Sequence, residues 1–383
     1  MASNIPSRED VIERAQALVP VLAARAEETE RARRVPIQTI ADFAEHGLLK
    51  LCMPRRYGGY EMGWDVLCEV SQTLAHGDGS QAWVQNILCD HSQMVASMSA
   101  ETQEEVWGED PETRISASFA PVGVAKPAKG GVVYSGRHGY SSGIDHVRWT
   151  ICGGHILADG EKPKRCYFLL PKKELKVVDD WQVMGLAGTG SKSFEAQDCF
   201  VPAHRILANE DAENGTGPGA ALNPAPVFRL PRLGVTATGF AAIVVGIAEG
   251  FLANYVAYTA PRSSRGIAVA GLGGTQIAAG TASAEIEAAR LLYLAPARDA
   301  MAAIARGESV TPAFKSKARR DAAFAAQLAL GAVQRLFNQA GGGALFSSSA
   351  MQRQFRDAAA AAAHHAISWD AAAGDYGRVL LGM

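Results

Sequence analysis

Two alanine-rich stretches, residues 274–306 and 312–340, hold helix-forming composition over about 25–30 residues each, and they constrain this chain most. Helices of that length bury their apolar faces side by side, so the carboxyl-terminal part is expected to be a bundle. Residues 234–258, apolar almost all round, supply a buried helix for it. Gly341–Gly342–Gly343 breaks the pattern, and a last helix is expected to start near Ser348 and run past Arg356 to His365.

Toward the amino terminus, Val11, Ala15, Leu18 and Leu22 recur at helical spacing among Glu and Arg. Apolar segments around 37–49, 64–75 and 81–98 continue that character, so residues 1–112 read as a helical domain. The texture then changes. GGVVYSG, VRWTICGG, RCYFLLP, ELKVV and SFEAQDCFVP are short β-rich runs bounded by Gly, Pro, Lys and Asp, which predicts an antiparallel β-domain over 113–210. A Gly-, Pro- and Asn-rich linker at 211–228 opens the last domain, a four-helix bundle over 211–383. The expected fold class is α+β, in the order helical, β, helical.

Charge excludes some partners. With 37 Lys+Arg against 39 Asp+Glu there is no basic field for a nucleic acid. No apolar run is read as approaching the roughly 18–20 residues of a bilayer span, so no membrane partner is expected. MASNIPSREDVIERAQ has neither a basic n-region nor an apolar h-region, and a cytoplasmic location is expected. Cys52, Cys68, Cys89, Cys152, Cys166 and Cys199 form no CxxC, so they read as buried reduced thiols, with no metal site.

Three strings carry a resemblance: ADFAEHGLLKLCMPRRYGGYEMGWDVLCEV (41–70), WQVMGLAGTGSKSFEAQDCFVPAHRIL (181–207) and NQAGGGALFSSSAMQRQFRDA (338–358). In this order they are similar to the acyl-CoA dehydrogenase superfamily, which implies a flavin between the β-domain and the bundle of a homotetramer. Dehydrogenases of that superfamily keep a catalytic Glu on their last helices, whereas here no Glu follows Glu308. The string HHAISWD (364–370) resembles instead the reduced-flavin-dependent, two-component monooxygenase branch. Its members include oxygenase components acting on p-hydroxyphenylacetate and secosteroid phenols, indole oxygenases and a dibenzothiophene monooxygenase. The resemblance implies reduced FAD or FMN, with FADH2 favoured, and O2, reacting through a C4a-hydroperoxide to hydroxylate a phenol or indole. With no GxGxxG after a strand, a separate NAD(P)H:flavin reductase is the implied partner. An N- or S-oxygenating monooxygenase of the same fold and an acyl-CoA dehydrogenase are the alternatives.

Residue by residue, the resemblance implies His364 near the flavin, chosen over His365 because it lies five residues before Trp369, with Asp370 orienting a histidine or capping a helix. It implies His91 facing the substrate beside Trp83, Asn86 and Phe119, Ser142 near flavin N5, and Ser118 and Ser141 as cofactor contacts. Trp181, Thr189, Ser191, Arg229, Arg262, Arg265, Gln276, Gln339, Gly341 and Gly342 complete the implied flavin contacts. On the residues alone, His91 reads as a hydrogen-bonded core histidine, His364–His365 as a cation pair at a helix end, and Ser141–Ser142 as a turn.

Overall fold

The computed structural model describes residues 5–232 and 234–383. Helices α1 (Arg8–Ala32), α2 (Ile37–Glu45), α3 (Trp64–Gly77), α4 (Gly79–Ala96) and α5 (Ala100–Trp107) form the first layer. A Ser7–Asp10 capping box starts α1: the Ser7 hydroxyl accepts from the Asp10 N–H, and the Asp10 carboxylate accepts from the Ser7 N–H.

Strands β1 (Ile115–Ala128), β2 (Gly131–Ser141), β3 (Trp149–Ile156), β4 (Lys164–Pro171), β5 (Lys176–Val178), β6 (Lys192–Pro202) and β7 (Ile206–Ala208) form one sheet in the order β5-β6-β2-β1-β3-β4-β7. The sheet is mixed, which corrects the antiparallel expectation. Strand β2 returns antiparallel along β1, and residues 142–148 then cross to the other side of β1, so that β3 sets off parallel to it with Ile115 beside Trp149. Side-chain alternation marks a strand but carries no information on its direction.

The stretch expected as a linker is partly helical: α6 (Asn209–Asn214) and α7 (Gly219–Leu222) pack it down, and Asn223 Nδ2 donates to the Ala96 carbonyl at 2.8 Å. Beyond it come α8 (Ala237–Thr259), a small hairpin of β8 (Ser263–Ser264) and β9 (Ile267–Ala268), α9 (Gly273–Ala305), α10 (Pro312–Ala340), α11 (Ala350–Ala362) and α12 (Trp369–Leu380). Helix α8 is long and apolar enough to cross a membrane, so the reading that no such run exists is corrected. It is instead mostly buried, with α3, α4, α9, α10 and α11 around it, and its all-round apolarity serves the protein's own interior. Two glycines set how closely α3 approaches. A Cβ at Gly246 would lie 2.1 Å from the Gln72 carbonyl oxygen, and one at Gly250 2.3 Å from that of His76.

Helix α11 stops at Ala362 and does not reach His365, a second correction. Residues His365–Ile367 form a 3-10 turn capped by His364, whose Nδ1 accepts from the Ala366 N–H at 3.3 Å. The alanine run contains no stop signal. The break is held by tertiary bonds, with Arg319 donating to the carbonyls of Ala366 and His365 at 3.1 Å each.

Candidate active site

Helix α4 is the spine of the site. At its amino-terminal end Trp83 packs on Phe240 of α8 (ring centres 4.9 Å apart) and meets His364 edge-on at 5.4 Å, while Phe240 and His364 lie 4.0 Å apart. Val84 and Ile87 receive the turn after β2: a Cβ at Gly143, which has φ 67°, would press on Val84 at 3.1 Å. Farther along, His91 bonds the Ile115 carbonyl of β1 at 3.0 Å and meets the Phe119 ring edge-on at 5.4 Å. Four chain segments thus converge on one buried helix: β1, the turn after β2, α8 and the turn at His364.

The two imidazoles are held as opposite tautomers. A carbonyl oxygen only accepts, so His91 carries its hydrogen on Nδ1 and leaves Nε2 as an acceptor; among the described residues none bonds to that nitrogen. His364 Nδ1 accepts, so its hydrogen sits on Nε2, also without a partner among the described residues. Both rings are neutral at physiological pH. Burial pushes His91 down to about 4, with Arg232 adding to the effect and Asp90 opposing it. Burial and His365 push His364 down to about 3.

A chain of hydroxyls joins the turn after β2 to the Leu186–Ser191 loop. Thr189 Oγ1 donates to the Leu186 carbonyl at 2.8 Å, so Ser191 must supply the hydrogen of its 2.7 Å bond to Thr189, and Ser142 that of its 2.6 Å bond to Ser191. Ser142 Oγ is therefore left as an acceptor. Trp181 Nε1 also donates to the Leu186 carbonyl, at 3.2 Å, and the Leu186 N–H donates to Asp357 at 2.6 Å. Burial and nearby Asp78 raise that carboxyl to about 7. The acid nearest the end of α11 is thus committed to holding this loop.

Several expected residues lie elsewhere. Ser141, the last residue of β2, donates to Ser116 at 3.1 Å and is sealed in the β-domain, whereas Ser142 lies in the turn that follows. Ser118 gives its hydrogen to the Gly139 carbonyl at 2.8 Å and is no free donor. Asn86 is spent on Ser71 at 2.9 Å, between α4 and α3. Arg229 is exposed and bonds the Pro224 carbonyl. Asp370 is exposed in the first turn of α12, where it complements the helix dipole; among the described residues no bond joins it to a histidine. His365 is exposed, and its carbonyl belongs to Arg319.

A second group forms an exposed ledge on the bundle. Arg262 lies over the Tyr258 ring at 4.8 Å, bonds the Ala340 carbonyl and borders Gly341, with Gly342 next to it in open space. Arg265, Gln276 and Gln339 are exposed, with Arg265 at the tip of the β8–β9 hairpin.

Sequence reasoning missed two site residues, Phe240 and Asp90. Phe240 was hidden in an apolar run with no feature to single it out. Asp90, next to His91, pairs with Arg232 at 2.7 and 2.8 Å, a partner 142 residues away. An acid in an otherwise apolar helix was the available signal.

The donor set fits a reduced flavin: an acceptor hydroxyl at Ser142 suits a ring N–H, and aromatic walls suit a flat heterocycle. Comparison with known proteins agrees. The family described as acyl-CoA dehydrogenase, N-terminal domain, matches residues 8–109, and acyl-CoA dehydrogenase, C-terminal domain, matches residues 238–369. The chain is similar to the flavin-dependent monooxygenase, oxygenase subunit HsaA, of Rhodococcus jostii (strain RHA1), 34% identical over 93% of this chain and 94% of the relative. It is 33% identical to the FADH(2)-dependent resorcinol hydroxylase, oxygenase component, of Rhizobium sp. (strain MTP-10005), over 97% of this chain and 94% of that one. Among solved structures, 3-HSA hydroxylase from Rhodococcus sp. RHA1 superposes with a TM-score of 0.94 at 33% identity, covering 98% of this chain and 97% of that one.

Proposed function

The chain belongs to the acyl-CoA dehydrogenase family, in its branch of flavin-dependent monooxygenase oxygenase components, and from that premise we propose that His91, His364 and Ser142 carry its chemistry. It is an oxidoreductase that uses reduced FAD or FMN and O2 to hydroxylate an aromatic substrate, with a separate reductase supplying the reduced flavin. Reduced flavin, when bound, supplies the two electrons with which O2 becomes one inserted oxygen atom and water.

The observation that supports the residue assignment is the pair of neutral imidazoles of opposite tautomer, one carried by α4 and one packed on it, each beside aromatic rings. His91 offers Nε2 to the hydroxyl hydrogen of a phenol, and sharing that hydrogen makes the ring richer in electrons and easier to oxygenate. His364 holds a proton at Nε2 on the side where Trp83 and Phe240 exclude water. Ser142, its own hydrogen committed to Ser191, accepts from a ring N–H of the reduced cofactor. Thr189, Ser191 and Trp181 position Ser142 through Leu186.

The ledge of Arg262, Gly341 and Gly342, with Arg265, Gln276 and Gln339, supports a dinucleotide tail shared with a neighbouring subunit, and so FADH2 in a homotetramer. Exposed Ile277, Leu291, Phe324 and Phe346 on the bundle support the same assembly. Six unpaired buried cysteines suit the cytoplasm.

The test is to mix the protein anaerobically with photoreduced FAD or FMN, then add O2 and a phenol. A hydroxylated product carrying label from 18O2 is expected, and His364→Ala should divert the electrons to H2O2. Undiminished product from both His364→Ala and Ser142→Ala would sink the assignment.

A further inference from the structure

The Asp90–Arg232 pair stands at the His91 end of the site and has no part in the chemistry above. Both side chains are buried, Arg232 10% and Asp90 5% exposed, and the two terminal guanidinium nitrogens each donate to one carboxylate oxygen. The guanidinium carbon lies 3.7 Å from the centre of the Phe119 ring, whose edge neighbours are His91 and Tyr167. Burial would raise the Asp90 carboxyl, but the Arg232 charge and hydrogen bonds outweigh it and hold Asp90 ionised. Arg232 stays charged in return. The charges that act on His91 come from Asp90 and Arg232 and oppose each other. The one acting on His364 is His365, which burial and Arg319 keep neutral. A cation sits directly behind the ring wall of the substrate site, and its charge is already cancelled.

Resting on the oxygenase reading, we propose that this site selects neutral phenols over phenols that carry a carboxylate, and that Asp90 determines the selectivity by withholding Arg232. A substrate carboxylate entering a buried site loses its water and needs a counter-charge there. Arg232 presents both terminal nitrogens to Asp90, so an incoming anion meets one carboxylate as close as the cation it seeks. A neutral phenol brings no such cost and keeps its hydroxyl for His91.

The test uses a pair matched in size and differing in charge, 4-hydroxyphenylacetamide and 4-hydroxyphenylacetate, with the full chain and photoreduced flavin at pH 7.5. Dissociation constants are measured anaerobically by titration calorimetry, and kcat/KM under O2 from oxygenated product. The amide is expected to be favoured about tenfold or more in both quantities. Asp90→Asn, which keeps the shape and removes the negative charge, should move both ratios about tenfold toward the acid. An acid that binds as well as the amide, or an amide that does not bind, overturns the proposal whether or not the variant folds. A folded Asp90→Asn with unchanged ratios overturns the role of Asp90. Failure of the oxygenase reading is distinguishable: the amide then binds in preference but gains no oxygen atom.

Discussion

Helices α4 and α8 are both buried, yet they are buried in opposite ways. Apolar residues run almost all round α8, and its neighbours meet it mainly through hydrophobic contact, with a close approach at Gly246 and Gly250 and side-chain bonds only at Thr238, Glu249 and Asn254 among the described residues. Every residue of α4 is buried too, but many are polar, and most of these have a named partner. Gln81 donates to the Leu22 carbonyl at 3.0 Å, Gln85 to that of Leu48 at 2.7 Å and Gln93 to that of Val227 at 3.0 Å, while Asn86 holds Ser71 and Asp90 holds Arg232. These side chains wire α1, the segment after α2, α3 and the entry to the bundle onto one helix. His91 differs from them in kind: its one hydrogen is spent on β1, and the nitrogen left over is basic. The lesson is that buried amides bonded across elements build the fold, whereas a buried imidazole with its basic nitrogen left over is where chemistry can enter.

The sharpest break of this comparison is His91→Ala, which should lower hydroxylated product by about 10²–10⁴-fold with the fold intact. Product formation within threefold of the parent would place His91 with the wiring residues. Next comes Asp90→Ala, which leaves Arg232 buried without its counter-charge and should cost about 3–5 kcal/mol in urea unfolding. Acid should then expose the neutral histidines. The unfolded chain binds a proton at His91 from about pH 6.5, whereas the folded chain refuses it until about 4. The unfolded state binds more protons across that window, so stability is full above it and is lost as pH falls through it, by about 1.4 kcal/mol per pH unit. His91→Gln should flatten that part of the curve. Gln85→Met against Ile247→Val compares the helices: about 1–3 kcal/mol for the lost bonds of Gln85 to the Leu48 carbonyl and from the Ser71 hydroxyl, against about 0.5–1.5 for a lost methylene on α8. Smallest of all, His365→Ala should change turnover by no more than about twofold, since the turn uses its carbonyl and among the described residues its ring nitrogens hold no bond.

Much of the fold was legible because its signals are local. The helices α9 and α10 begin and end close to where alanine richness and the flanking Gly and Pro put them. The end of α11 was not, because the alanine run continues past the point where Arg319 and the Trp83–Phe240 wall turn the chain. The parallel pairing of β1 with β3 was hidden for the same reason, since a strand's sequence does not name its neighbour. For the site, motif resemblance singled out His91, Ser142 and His364: His91 lies on α4, His364 packs on Trp83 of that helix, and Ser142 precedes Gly143, which faces Val84. It also placed Ser141, Asn86, Arg229 and Asp370 there, and each is occupied elsewhere or turned to solvent. Similar strings fix a position along the chain, whereas the direction a side chain points depends on strand parity and on partners far away in sequence.

The turn at His364 has a consequence of its own. One nitrogen of that ring ends a peptide hydrogen-bond deficit, and the other carries the hydrogen that the proposed chemistry draws on, so under that proposal a single side chain is both the full stop between two helices and a reagent. Replacing it with alanine removes both at once and leaves the cause of any defect ambiguous. Asparagine, which can still cap the turn, erases only the reagent, and the difference between the two variants measures how far the precision of this site is owed to grammar and how far to chemistry.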